Sequence, residues 1–192
     1  MSDIRLITSW QPFEYDSKMV AESRLENAGK IMMKGILQKA NTLNQNGRIY
    51  PLPILEREVR NYQKFIEEKR ALGECDHPES SVVELKNASH IIREAYMEGD
   101  ICYGTVELLD TPSGKILQSL VESGVTLGIS SRGVGSTRRE GDYQVVQDDF
   151  QLICWDFVSE PSTPGAFMMR EGVEVRRSEL NKGFTKTDRL FR

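Results

Sequence analysis

Histidine is nearly absent from this chain: only His77 and His90 occur among its 192 residues. Any acid–base chemistry at neutral pH therefore rests on very few imidazoles, whose unperturbed pKa lies near 6.5. Cysteine is scarce as well. Cys75, Cys102 and Cys154 are odd in number and far apart. They make neither a C-x-x-C zinc pair nor a secreted disulfide framework, so a reducing compartment is expected. No stretch approaches the roughly 20 apolar residues of a membrane span, and the N-terminus lacks the apolar run of a signal peptide. A net charge of -4 gives no general attraction to nucleic acid or anionic membrane. The expectation is a soluble, intracellular protein with neither as partner.

Cofactor and metal motifs are missing too. Gly133-Val134-Gly135-Ser136 lacks the lysine and remaining glycines of a phosphate-binding loop. Glu74, Cys75, Asp76 and His77 are all potential ligands, but adjacent residues cannot all point at one ion, and no second His/Cys cluster completes a tetrahedron. No cofactor and no metal are expected.

What remains is an ordinary globular composition, 39% apolar and 28% charged. It is enough for one self-supporting domain with a tail. We place the domain at 1–169 and a charged, poorly patterned tail at 170–192. Within the domain, Ile4–Trp10 predicts an edge strand and Lys30–Ala40 a core strand. Asn44-Gln45-Asn46-Gly47-Arg48 is a turn signal, because Asn-Gly readily takes positive φ. Ile54, Leu55, Val59, Tyr62, Phe65 and Ile66 recur at helical spacing, predicting an amphipathic helix over Ile54–Arg70. Strands are predicted over Ala88–Tyr96 and Ile101–Leu109, joined by a turn at Glu98-Gly99-Asp100. Thr111 as N-cap, Pro112 at the first helical position and Gly124 just past the end delimit a second helix. Further strands are predicted over Val125–Arg132, Tyr143–Val146 and Phe150–Val158, with Arg138-Arg139-Glu140 as a solvated turn. This is an α+β pattern built on antiparallel strands.

The candidate chemistry lies in two segments, Gly73-Glu74-Cys75-Asp76-His77-Pro78 and Gly128-Ile129-Ser130-Ser131-Arg132-Gly133. Alternation along the second puts Val125, Leu127, Ile129 and Ser131 on an apolar face, and Thr126, Gly128, Ser130 and Arg132 on the other. Ser130 is thus favoured over Ser131 as a nucleophile. A serine working at neutral pH needs a base, and His77, in a polar loop after the first helix, can serve. His90 starts an apolar strand and reads as structural. Asp156 is the one charge in an otherwise apolar strand, so it needs a partner, which is either His77 or Arg132. Asp76 and Glu74 are the other carboxylates that could orient His77.

Gly-Glu-x-x-His-Pro followed by Gly-Ile-Ser-Ser-Arg-Gly-Val-Gly-Ser resembles the prohead core proteases of T-even-type tailed phages. So do Asn44-x-Asn46-Gly47-Arg48-x-Tyr50-Pro51, Tyr103-Gly104, and Asp156 ahead of Pro161-Ser162-Thr163-Pro164, together covering roughly residues 30–165. The resemblance implies an assemblin-like fold, as in herpesvirus proteases, with a mainly antiparallel β-barrel core and flanking helices. It implies a serine endopeptidase with His77 as base, Ser130 as nucleophile and Asp156 in third place, and Arg132 and Ser131 on the oxyanion side. By the same analogy the enzyme is a zymogen acting in the host cytoplasm, inside the assembling prohead. It would cut phage scaffold and core proteins, the major capsid protein and itself, cleaving after glutamate two residues beyond an aliphatic one. Trimming of the 170–192 tail would accompany activation, and homo-oligomerisation is left open. The alternative is a non-catalytic capsid-core or scaffold-binding protein of the same fold.

Overall fold

The computed structural model describes the backbone of Arg5–Pro12 together with residues 30–76, 78, 80–125 and 127–159. Within these residues the periodicities of the sequence become ten strands and two helices. The strands are β1 (Arg5–Pro12), β2 (Ile31–Lys39), β3 (Arg48–Ile49), β4 (Leu72–Glu74), β5 (Ala88–Glu98), β6 (Ile101–Leu108), β7 (Gly128–Gly135), β8 (Thr137–Glu140), β9 (Tyr143–Val146) and β10 (Gln151–Val158). The helices are α1 (Leu52–Glu67) and α2 (Pro112–Glu122).

The strands form three ladders, ordered β1-β7-β10, β2-β6-β5-β4 and β3-β9-β8. All pairings are antiparallel except β3 with β9. A single parallel bridge between Cys75 and Phe157 brings the end of β4 alongside β10, so the first two sheets meet at the candidate site. At the opposite margin β1 runs beside β2, yet no ladder joins them. The expected barrel is therefore corrected: among the described residues the sheets do not close. The α+β, mostly antiparallel reading stands.

Local chemistry accounts for the boundaries. α1 starts where Pro51 and Pro53 favour the first turn and stops where Lys69 takes φ 54°. α2 is capped by Thr111, whose hydroxyl accepts from the Gly114 N–H at 3.0 Å. Gly47 and Gly99 carry the positive φ that their turns require. The Asn44 turn is tied by its own side chain, Oδ1 accepting from the Arg48 N–H at 2.9 Å. Tyr50, which follows it, is buried edge-on against Phe150.

α1 lays Ile54, Leu55, Val59 and Tyr62 into one core with Ile31, Met33, Leu37, Val106, Ile129, Trp155 and Phe157. Tyr62 meets Trp155 edge-to-face at 4.8 Å, a geometry that adds about 0.5–1.5 kcal/mol to simple burial. One charge on the apolar face of α1 is functional to the packing. Glu58 is buried and accepts the Leu152 N–H at 2.8 Å, next to the bulge where β10 slips register against β7.

Three sequence expectations are revised. β7 begins at Gly128 rather than Val125 and continues through Gly133 and Gly135, which permit close approach to Phe150. A Cβ at Gly133 would stand 2.4 Å from the Phe150 ring. Arg138-Arg139-Glu140 belongs to β8, paired with β9, rather than to a turn. Part of the first site segment is a strand, β4, not a loop. The tail placed at 170–192 lies outside the described residues.

Candidate active site

Ser130 sits mid-β7, flanked by β1 and β10, directly opposite Asp156 of β10. Residues paired this way share a face with Cβ atoms about 5 Å apart. Arg132, two positions on, lies on that face too, and the alternation read from the sequence holds. Ser131 projects to the other side, opposite Trp155, and is fully buried. Ser130 itself is 1% exposed.

The polar face is organised by a buried ion network. Arg132 places Nε 2.8 Å from Asp156 Oδ2, while Nη2 donates to Asp156 Oδ1 at 3.1 Å and to the Glu74 carboxylate. Nη1 donates to the Ser80 carbonyl at 2.8 Å. All three ionic side chains have no exposure. Burial opposes the guanidinium charge, but the Asp156 and Glu74 carboxylates outweigh it and raise its pKa further above the ordinary arginine range. Of the two partners the sequence allowed Asp156, Arg132 is the one present among the described residues. Asp156 Oδ1 also accepts from the Glu74 N–H at 3.0 Å and the Cys154 thiol at 3.3 Å.

Of the residues expected on the oxyanion side, Ser131 turns its side chain to the face opposite Ser130, and the Arg132 guanidinium is engaged by two carboxylates and a carbonyl. His77 lies outside the described residues. Its neighbour Asp76 is exposed, has φ 61° and donates its N–H to the Phe157 carbonyl at 2.7 Å. The backbone entering the histidine is thus pinned to β10 one residue from Asp156.

His90 is structural, as expected, with a defined task. It is fully buried, with Nε2 2.9 Å from the Trp155 carbonyl and Nδ1 2.9 Å from Ser89 Oγ. Because a carbonyl only accepts, Nε2 carries the proton and Nδ1 accepts from the serine. Burial pushes its pKa down to about 4, against the opposing pull of Asp156 and the Trp155 carbonyl. To reach β10 the ring crosses β4 over Gly73, where a Cβ would stand 2.2 Å from both Nε2 and the Trp155 carbonyl oxygen. Sequence reading missed Gly73, Ser80 and the ionic use of Glu74. The available signal was one arginine beside two carboxylates in segments that must each bury a charge.

No group of three or more His, Cys, Asp or Glu suited to a metal ion occurs among the described residues. No helix among them is long and apolar enough to cross a membrane. The Cys75 thiol is half-buried beside the Ser113 carbonyl, and burial raises its pKa.

Comparison with known proteins places this site in context. A family model described as prohead core protein serine protease matches residues 8–179. The prohead core protein protease of Enterobacteria phage T4 is 32% identical over 166 residues, spanning 84% of this chain and 77% of that protein. The structure of the bacteriophage T4 capsid assembly protease matches with a TM-score of 0.71 at 25% identity, covering 83% of this chain and 99% of that one.

Proposed function

Given that the chain belongs to the prohead core protein serine protease family, we propose that it is the serine endopeptidase of an assembling phage head, with Ser130 as nucleophile. Ser130 Oγ attacks the scissile carbonyl as His77 takes its proton. His77 then protonates the leaving amine, and water hydrolyses the acyl-enzyme by the same base. Asp156 orients His77 and stabilises its charged form. Among the three carboxylates considered it stands opposite Ser130, whereas Asp76 is exposed and Glu74 also bonds the Glu84 N–H. The carrying observation is the Ser130–Asp156 register, with the chain leading to His77 anchored at Phe157 beside it.

The substrates are the scaffold and core proteins, the major capsid protein, and the chain itself. The relatives' names as prohead core and capsid assembly proteases support this choice. The 1% exposure of Ser130 suits a closed precursor that opens on activation. An assemblin relationship is part of the same proposal, supported by the order histidine, serine, then a third residue on a later strand. The non-catalytic reading draws on that same burial. Incubating the purified chain with its scaffold and capsid subunits separates the two. New termini formed by the wild type and lost in Ser130→Ala support the protease; identical patterns from both favour the binding protein.

A further inference from the structure

We propose that Arg132 is a positioning residue, clamping the segment that carries His77 onto the nucleophile strand. The inference rests on the reading of Ser130 and His77 as nucleophile and base. Arg132 follows Ser130 by two residues in β7, and its side chain holds both Glu74 and the Ser80 carbonyl. In the chain these two residues bracket His77, three positions before it and three after. The same guanidinium grips Asp156 through Nε and Nη2. One planar cation thereby joins β7, β10 and both ends of the histidine segment.

The surrounding bonds close the clamp. Asp156 Oδ1 accepts the Glu74 N–H, Phe157 accepts the Asp76 N–H, and Glu74 Oε1 accepts the Glu84 N–H at 2.8 Å. Asp76 is one of three described non-glycine residues with positive φ, so the turn into the segment is held in a conformation that few side-chain-bearing residues adopt. Arginine suits the task because five fixed N–H donors reach three directions in one plane; a lysine ammonium cannot span them. With no exposure at any of the ionic groups, water is not at hand to replace a lost donor.

A purely structural ion pair lowers stability but leaves each folded molecule equally reactive. A clamp sets reactivity, because a displacement of about 1 Å in a catalytic group costs on the order of 10²-fold. The test uses the full chain with Arg132→Lys and Glu74→Gln. It follows melting temperature, the rate and pH profile of fluorophosphonate labelling at Ser130, and amide exchange over residues 76–84. In wild type the Asp76 and Glu84 amides, bonded to the Phe157 carbonyl and Glu74 Oε1, are protected relative to the unbonded amides around them. In folded Arg132→Lys, labelling slows by about tenfold or more while exchange over 76–84 quickens, and Glu74→Gln moves both the same way by less. Wild-type labelling and exchange in either folded variant overturns the clamp, as do unprotected Asp76 and Glu84 amides in the wild type, which needs no variant to fold. A wild type that never labels at Ser130 while the Asp76 and Glu84 amides stay protected sinks the nucleophile assignment and reduces Arg132 to a structural ion network.

Discussion

Arg132 and Asp156 face each other diagonally across the β7–β10 ladder, Nε 2.8 Å from Oδ2, with neither side chain exposed. Such a pair gains little over an apolar replacement, but removing one partner strands a buried charge at a cost of about 3–5 kcal/mol. In Asp156→Ala the guanidinium keeps Glu74, so the loss should be smaller, about 1–3 kcal/mol for the donors left without an acceptor. Asp156→Asn, which still accepts the Glu74 N–H, should lose less. Denaturant titration of the two variants checks the order, and equal losses would contradict the network.

His90 makes the fold acid-sensitive. Its folded pKa of about 4 lies below the unfolded 6.5, so over that interval the unfolded chain binds the extra proton. The stability it contributes is whole above pH 6.5, falls as pH drops toward 4, and declines no further on its account below that. The loss amounts to about 3 kcal/mol. His90→Gln should be less stable at neutral pH and should lack this portion of the slope between pH 6.5 and 4. Unfolding curves at half-unit pH steps measure the difference between wild type and variant.

Gly73 and Gly141 provide a matched pair. Gly141 has φ 63° with open space around its missing Cβ, so Gly141→Ala should cost only the backbone strain, about 1–2 kcal/mol. At Gly73 an added methyl meets the His90 ring and the Trp155 carbonyl, both held by the hydrogen bond between them. Gly73→Ala should be the more damaging, and should also speed amide exchange along β10. Melting temperatures of the two variants rank them.

The thiols differ by burial. Cys102 and Cys154 are fully buried, and burial raises both pKa values, that of Cys102 to about 12. Cys75 is half-buried with a pKa raised above 9. Of the three, native alkylation should reach Cys75 alone, slower than a free thiol at pH 7.5 and accelerating as pH rises, because the thiolate is the nucleophile. Peptide mapping after iodoacetamide treatment shows which thiol reacts.

Much of this was readable before any coordinates, and the reason is local physics. Thr111, Pro112 and Gly124 delimit α2, Asn44–Arg48 turns as its residues dictate, and Tyr143–Val146 is a strand with the predicted bounds. Strict alternation around Ser130 separated it from Ser131, and the β7 register upholds that separation. Illegible features depend on residues distant in sequence. β4 is three residues long and exists because β5 and β10 flank it; no periodicity shows in so short a run. Glu58 carries a charge on an apolar helix face, and its partner is a backbone N–H 94 positions away. That Arg132 binds Asp156 as part of a larger network required knowing that Glu74 and Ser80 converge on the same guanidinium.

The central claim is that Ser130 is the nucleophile of a protease. Reacting the full-length chain with a fluorophosphonate and locating the adduct by peptide mass spectrometry tests it most directly. The account predicts one adduct, on Ser130, abolished in Ser130→Ala and greatly slowed in His77→Ala while both variants remain folded. An adduct on another serine, or labelling of Ser130→Ala at the wild-type rate, would contradict it.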